Sequence, residues 1–182
     1  GMGKLNGFDG LWGVEYKSNH KQAINGFVLE YYQTTNQSGP MHGLDFSEVK
    51  KTGGADDYYN NDWYPGWVHW GMSMANPLIA SPIYNKDGDM TFKYNRVRAM
   101  HLGWSGDISS EWTYLAKLSY NKTWGTPFKP IPDILENFST FASIIYTPRK
   151  WKGWRFNASI AFDTGEIYGD NLGCQLKVRK IF

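Results

Sequence analysis

Between Asp56 and Tyr64 the chain interleaves carboxylates, side-chain amides and aromatic rings: Asp56, Asp57, Tyr58, Tyr59, Asn60, Asn61, Trp63 and Tyr64. Sugar recognition uses that mixture, because planar rings stack on the apolar face of a pyranose while Asp and Asn bond its hydroxyls. The same residue types also suit a turn-rich loop whose Asp and Asn side chains cap their own backbone. Asp56, Asp57, Asn60 and Asp62 carry oxygens of the kind calcium takes, but their spacing is not that of an EF-hand loop, so no metal is expected there.

Other chemistry finds little support. The four histidines, His20, His42, His69 and His101, are scattered without zinc-site spacing. No nucleophile elbow, phosphate-cradling glycine loop or dinucleotide fingerprint occurs, so no catalytic residue and no cofactor are expected. Cys174 is the single cysteine, which excludes an intramolecular disulfide and a thiolate cluster. Nineteen basic against seventeen acidic residues give a net charge of +2, which leaves no electrostatic footprint for nucleic acid. The Asn-x-Ser/Thr triplets at Asn36, Asn121, Asn137 and Asn157 read as chance matches, since Asn157 and Asn121 fall in predicted strands.

The elements that would hold such a loop are two-faced strands. Leu172, Cys174, Leu176 and Val178 alternate with Gly173, Gln175, Lys177 and Arg179, and the chain stops at the aromatic Phe182. Trp12, Val14 and Tyr16 alternate in the same way, as do Phe27, Leu29 and Tyr31. Met90, Phe92 and Tyr94 follow the Lys86-Asp87-Gly88 turn, and Met100, Leu102 and Trp104 come next. Trp112, Tyr114, Ala116, Leu118 and Tyr120 form the clearest row, and Trp154, Phe156, Ala158, Ile160 and Phe162 another. A Pro-rich link at Pro127, Pro130 and Pro132 leads to a strand over 138–147. Only 132–137 and 47–51 have room for a short helical turn.

This pattern predicts a single all-β domain over residues 1–182. Its expected fold is an antiparallel up-and-down meander barrel of about eight strands with one long loop near 36–65. Mean hydropathy of −0.52 with 17% aromatic residues excludes a helical membrane protein but suits a membrane barrel, whose apolar residues hide at alternate positions. Trp12, Tyr31, Trp104, Trp112, Tyr120, Tyr146, Trp151 and Trp154 fall near strand ends, and aliphatic residues fall in strand middles. That is the distribution of two interfacial girdles around a lipid-facing band. The opposite face carries Glu30, His101, Lys117, Asp163 and Lys177, expected to point to a polar interior. An outer-membrane barrel is therefore the leading reading, with membrane lipid as a partner. Gly1-Met2-Gly3 reads as a cleavage scar and start, with no signal peptide in the sequence.

Three ordered blocks resemble a known family. They are Gly26-Phe27-Val28-Leu29-Glu30-Tyr31 leading into Gln37-Ser38-Gly39-Pro40-Met41-His42, then Asp56-Asp57-Tyr58-Tyr59-Asn60-Asn61 with Tyr64-Pro65-Gly66-Trp67, Gly71 and Asn76-Pro77-Leu78, then Asn95-Arg96 with His101-Leu102-Gly103. Together they resemble Wzi-like capsule assembly proteins. The resemblance implies a non-enzymatic outer-membrane β-barrel that binds capsular or exopolysaccharide at the cell surface. Members of that family are much larger, so this chain resembles their C-terminal portion or a short relative. Two other readings stay open at this point: a soluble antiparallel barrel holding an apolar ligand, and a membrane-barrel hydrolase or acyltransferase.

Overall fold

A computed structural model describes residues 8–37, 57–60, 67–74 and 76–181. Nine strands occur among them: β1 (Gly10–Lys17), β2 (Gly26–Gln33), β3 (Val68–His69), β4 (Met72–Ser73), β5 (Val97–Asp107), β6 (Trp112–Gly125), β7 (Pro130–Tyr146), β8 (Trp154–Gly165) and β9 (Asn171–Lys180). Seven of them form one antiparallel sheet in the order β1-β2-β5-β6-β7-β8-β9, and β3 and β4 form a separate small hairpin. The expected closed barrel of about eight strands is corrected in one respect: the sheet is open, and β1 and β9 are its two edges. The only helical element among the described residues is the 3-10 turn Pro82–Tyr84. No helix there is long and apolar enough to cross a membrane.

Two further expectations change. Pro130 and Pro132 of the Pro-rich link and the candidate helical turn at 132–137 are part of β7, which starts at Pro130, while Pro127 precedes it. Its pairing with β8 covers only Asn137–Tyr146, so one side of the Pro130–Glu136 stretch lacks β8 as a partner. Missing proline N–H groups are tolerated at such an edge. The predicted strand through Met90, Phe92 and Tyr94 is not formed, and Phe92 instead enters an apolar cluster. The candidate helical turn at 47–51 lies outside the described residues.

The chain divides into two compact units. The first takes in Tyr32–Ala99 and Asn121–Glu136, with the stretch up to Leu11. Its core is Ile79, Phe92, Val97 and Ala99, packed by Tyr32, Tyr59, Val68 and Leu78. The β3–β4 hairpin turns through Trp70 and Gly71, both at positive φ (51° and 77°), the geometry that a two-residue turn needs to match strand twist. Pro82 opens the 3-10 turn, where its fixed φ is already helical and no N–H is needed. Beyond that turn, Lys93 donates to Asp87, and this ammonium holds the Asp87 carboxyl below the usual carboxylate range.

The second unit comprises Trp12–Tyr31, Met100–Tyr120 and Asn137–Phe182. Here the register is continuous from Asn137↔Gly165 to Tyr146↔Phe156, and from Trp154↔Lys180 to Asp163↔Asn171. One row therefore carries Phe138, Ala142, Ile144, Phe156, Ile160, Phe162, Leu172, Leu176 and Val178, and the other carries Asn137, Ser139, Ser143, Asn157, Ser159, Asp163, Gln175 and Lys177. Apart from Pro148, no aliphatic or aromatic side chain is buried among the described residues of this unit, whereas Asn137 and Ser143 are. Leu176 is 86% exposed and Ile160 48%. Half-buried Leu118 and exposed Lys117 show that an open sheet wets both of its faces to some degree.

At the end of β5 the 18–25 turn is clamped onto the strand. Asn25 N donates to the Ser105 carbonyl at 2.9 Å, Asp107 N to the Gln22 carbonyl at 2.9 Å, and the Tyr114 hydroxyl to the Ala23 carbonyl at 2.7 Å. A Cβ on Gly106 would stand 1.7 Å from the Ala23 carbonyl oxygen. Gly106→Ala is expected to cost about 3 kcal/mol, the upper range for forced overpacking. The shift in urea unfolding midpoint, followed in detergent, checks it.

Candidate functional site

Strand alternation and register gather a polar site on the second unit's polar row. Glu30 from β2, His101 from β5 and Lys117 with Ser119 from β6 line an open cleft of about 660 Å³. His101 Nδ1 lies 2.6 Å from the Ser119 hydroxyl oxygen. The Lys117 ammonium sits 6.0 Å from the centre of the Phe141 ring, within cation–π range. Glu30 and Lys117 bring opposite charges to one cleft, which compensates each for partial removal from water. Of the five expected interior residues, these three come together; Asp163 and Lys177 lie on the same polar row of β8 and β9 but do not line the cleft.

Ser119 is the partner that sequence reasoning did not assign to His101. Alternation puts both on polar rows, but adjacency across strands is not encoded in spacing along one of them. A serine bonded to a histidine resembles the start of a nucleophilic dyad. Acyl transfer also needs backbone N–H donors aimed at a developing oxyanion, and both residues here sit within strands, where backbone N–H groups serve the sheet's ladder. The pair lies on the polar row of the sheet, and the Asn157 amide donating to Ser143 at 2.9 Å belongs to the same row.

The Asp56–Tyr64 segment is described only at Asp57, Tyr58, Tyr59 and Asn60; Asp56, Asn61, Trp63 and Tyr64 lie outside the described residues, as does Asp62. Two of the four are committed to the fold. The Asn60 amide donates to the Phe92 carbonyl at 2.8 Å and its oxygen accepts the Phe92 N–H at 2.9 Å. Asp57 Oδ1 accepts from the Asn95 amide at 2.7 Å. Asn95 is the hub: its amide also bonds the Tyr58 carbonyl at 2.5 Å, and its oxygen accepts from buried Gln37 at 3.1 Å. Gln37 in turn accepts the Tyr58 N–H at 2.7 Å. Tyr59 packs against Phe92 with ring centres 5.0 Å apart, and burial pushes its phenol pKa up. Among the described residues no group of three His, Cys, Asp or Glu gathers in a way that would hold a metal ion.

Compared with known proteins, the chain matches no family model, no curated protein and no solved structure.

Proposed function

We propose that the chain forms part of the wall of an outer-membrane β-barrel of the Wzi-like kind, and that it contacts surface polysaccharide through the segment that includes Asp57–Asn60. One observation carries the membrane half of this reading: on β7 Phe138, Ala142 and Ile144 of the apolar row are exposed while Asn137 and Ser143 of the polar row are buried, and Ile160 and Phe162 of β8 are exposed as well, whereas the edge strands β1 and β9 are exposed on both rows. Moving Leu172, Leu176, Val178, Ile160, Phe162 and Ile144 out of water is worth about 1.5–3 kcal/mol each. Their sum, on the order of 10 kcal/mol, is as large as a whole domain's net stability. A soluble barrel built around an apolar ligand would bury these residues, and the observed burial opposes that reading.

Two features fit a lipid belt. Trp112 stacks on Tyr146 at 4.4 Å, and Phe156 joins Tyr146, Trp151 and Trp154 at 6.0–6.3 Å, an aromatic cluster at one end of the strands. On β7 the outward row runs from Phe138 to Tyr146, eight residues further on. That is about 26 Å along the strand, or about 20 Å of height at a tilt of about 40°, close to the apolar band of such barrels.

The open edges fit a larger barrel. Seven strands of an antiparallel meander leave β1 and β9 running the same way, so joining them would create a parallel pair. Two copies arranged about one barrel axis would meet with the same parallel pairing. An odd number of additional strands restores an all-antiparallel wall, and every residue of β1 and β9 is exposed to receive them.

The membrane reading predicts that protein refolded from urea requires detergent or lipid vesicles and then migrates differently on gels before and after boiling. Protein that folds in plain buffer with unchanged migration would count against it. For polysaccharide, Asp57 and Asn60 act as scaffold, and contact falls to Tyr58 with Asp56, Asn61, Trp63 and Tyr64. Tyr58→Ala combined with Trp63→Ala is expected to reduce retention on immobilised surface polysaccharides about tenfold, at about 0.5–1.5 kcal/mol per stacked ring. Equal retention of the double variant and the parent would reject the loop as the site while leaving the wall untouched.

A further inference from the structure

In the first unit, Arg96, Arg98 and Trp124 line an open cleft of about 430 Å³ together with Phe8, Gln33 and Asn36. Among the described residues the lining holds two guanidinium groups and no carboxylate. The neighbouring carboxylate of Asp9 is turned to backbone, accepting the Asn36 and Gln37 N–H groups at 2.8 and 2.7 Å. Nearby Lys122 is neutralised by Glu136 at 2.6 Å, whereas neither arginine is ion-paired among the described residues. Arg96 Nε donates to the Thr35 carbonyl at 3.1 Å, which leaves its two terminal nitrogens uncommitted by that bond. Arg98 lies 5.3 Å from the centre of the Trp124 ring.

The position of this cleft matters as much as its charge. Val97 and Ala99 are buried, so Arg98 lies on the outward row of β5, followed on alternate residues by Met100, Leu102 and Trp104. Trp124 belongs to the outward row of β6, with Tyr120 and Leu118. We infer that this cleft binds the phosphate-bearing headgroup of an anionic lipid, with the phosphate on the Arg96–Arg98 pair. Forked guanidinium groups suit phosphate oxygens, and tryptophan favours headgroup depth. The inference rests on the membrane reading above.

The test uses the full chain in phosphatidylcholine vesicles that contain a minor fraction of phosphatidate with brominated acyl chains, whose approach quenches tryptophan. Expected is preferential quenching by brominated phosphatidate over brominated phosphatidylcholine, unchanged by excess inorganic phosphate. Arg96→Gln with Arg98→Gln is expected to lower that preference about tenfold, as for loss of charge-assisted hydrogen bonds, while insertion into pure phosphatidylcholine persists. Should the double variant not insert, Arg98→Gln alone, at an exposed side chain, is read the same way. An equal preference in parent and variant, no preference in the parent, or competition by inorganic phosphate would overturn the lipid site and leave the membrane reading standing. Failure of the parent to insert into any vesicle would overturn both.

Discussion

Replacing Leu176 and Ile160 together by arginine is expected to abolish insertion into lipid vesicles, while Ser159→Arg, one residue along β8, leaves it intact. Leu176 pairs with Ala158, and Ile160 pairs with Cys174, all on the outward row, whereas Ser159 pairs with Gln175 on the polar row. An arginine on the lipid face near the bilayer midplane costs about 2–4 kcal/mol. Two such residues cost about 4–8 kcal/mol, enough to cancel the stability of a typical domain. A water-exposed sheet predicts the reverse, since charges placed on exposed positions away from special features change stability by less than about 0.5 kcal/mol. The fraction of protein protected from protease after refolding with vesicles measures the difference directly.

Asn95→Leu is expected to destabilise the first unit by about 4 kcal/mol and to release the Asp57–Asn60 segment. Asn95 is fully buried and joins three otherwise separate pieces of chain, through Gln37, Asp57 and the Tyr58 carbonyl. Its own carbonyl accepts from buried Thr34 at 2.7 Å. Leucine fills the volume but strands the Tyr58 carbonyl and leaves the Gln37 amide and the Asp57 carboxylate only longer bonds, to the residue-95 carbonyl at 3.3 Å and from Asn60 at 3.4 Å, at about 1–3 kcal/mol per unsatisfied group. Hydrogen exchange is the readout: the amides of Tyr58 and Asn60, bonded to Gln37 and to the Asp57 carbonyl at 2.7 and 3.0 Å, should lose protection in the variant. Those of Asn157–Asp163 in β8 should keep theirs. Parallel loss in both regions would mean that Asn95 acts on the whole fold and not on this segment.

The sheet was legible wherever a strand has two chemically different faces. Rows such as Leu172–Val178 and Trp112–Tyr120 repeat every second residue, and a strand is the only element with that period. Alternation does not say which of the two faces turns inward; the aromatics near strand ends are the only sequence signal that bears on it. Pro130 and Pro132 concealed the start of β7, because proline punctuates most strands but is harmless along an unpaired side. Phe92 alternates with its neighbours as a strand residue would, yet the Asn60 side chain caps its backbone and holds it in a non-strand cluster. At the candidate site, composition singled out Asp57 and Asn60 but did not separate ligand contact from self-capping, since both use the same oxygens and amides. The His101–Ser119 pair and the Arg96–Arg98–Trp124 cleft arise from cross-strand adjacency, which no single segment contains.

The most direct test of the outward apolar face uses Cys174, the only cysteine, exposed on β9 opposite Ile160. A nitroxide attached there in protein refolded into vesicles should collide readily with dissolved oxygen and poorly with a water-soluble nickel chelate. The same label at position 177, in a Lys177→Cys, Cys174→Ser protein, should show the opposite preference. A label at Cys174 that the nickel chelate reaches as easily as it reaches position 177 would contradict a lipid-facing row.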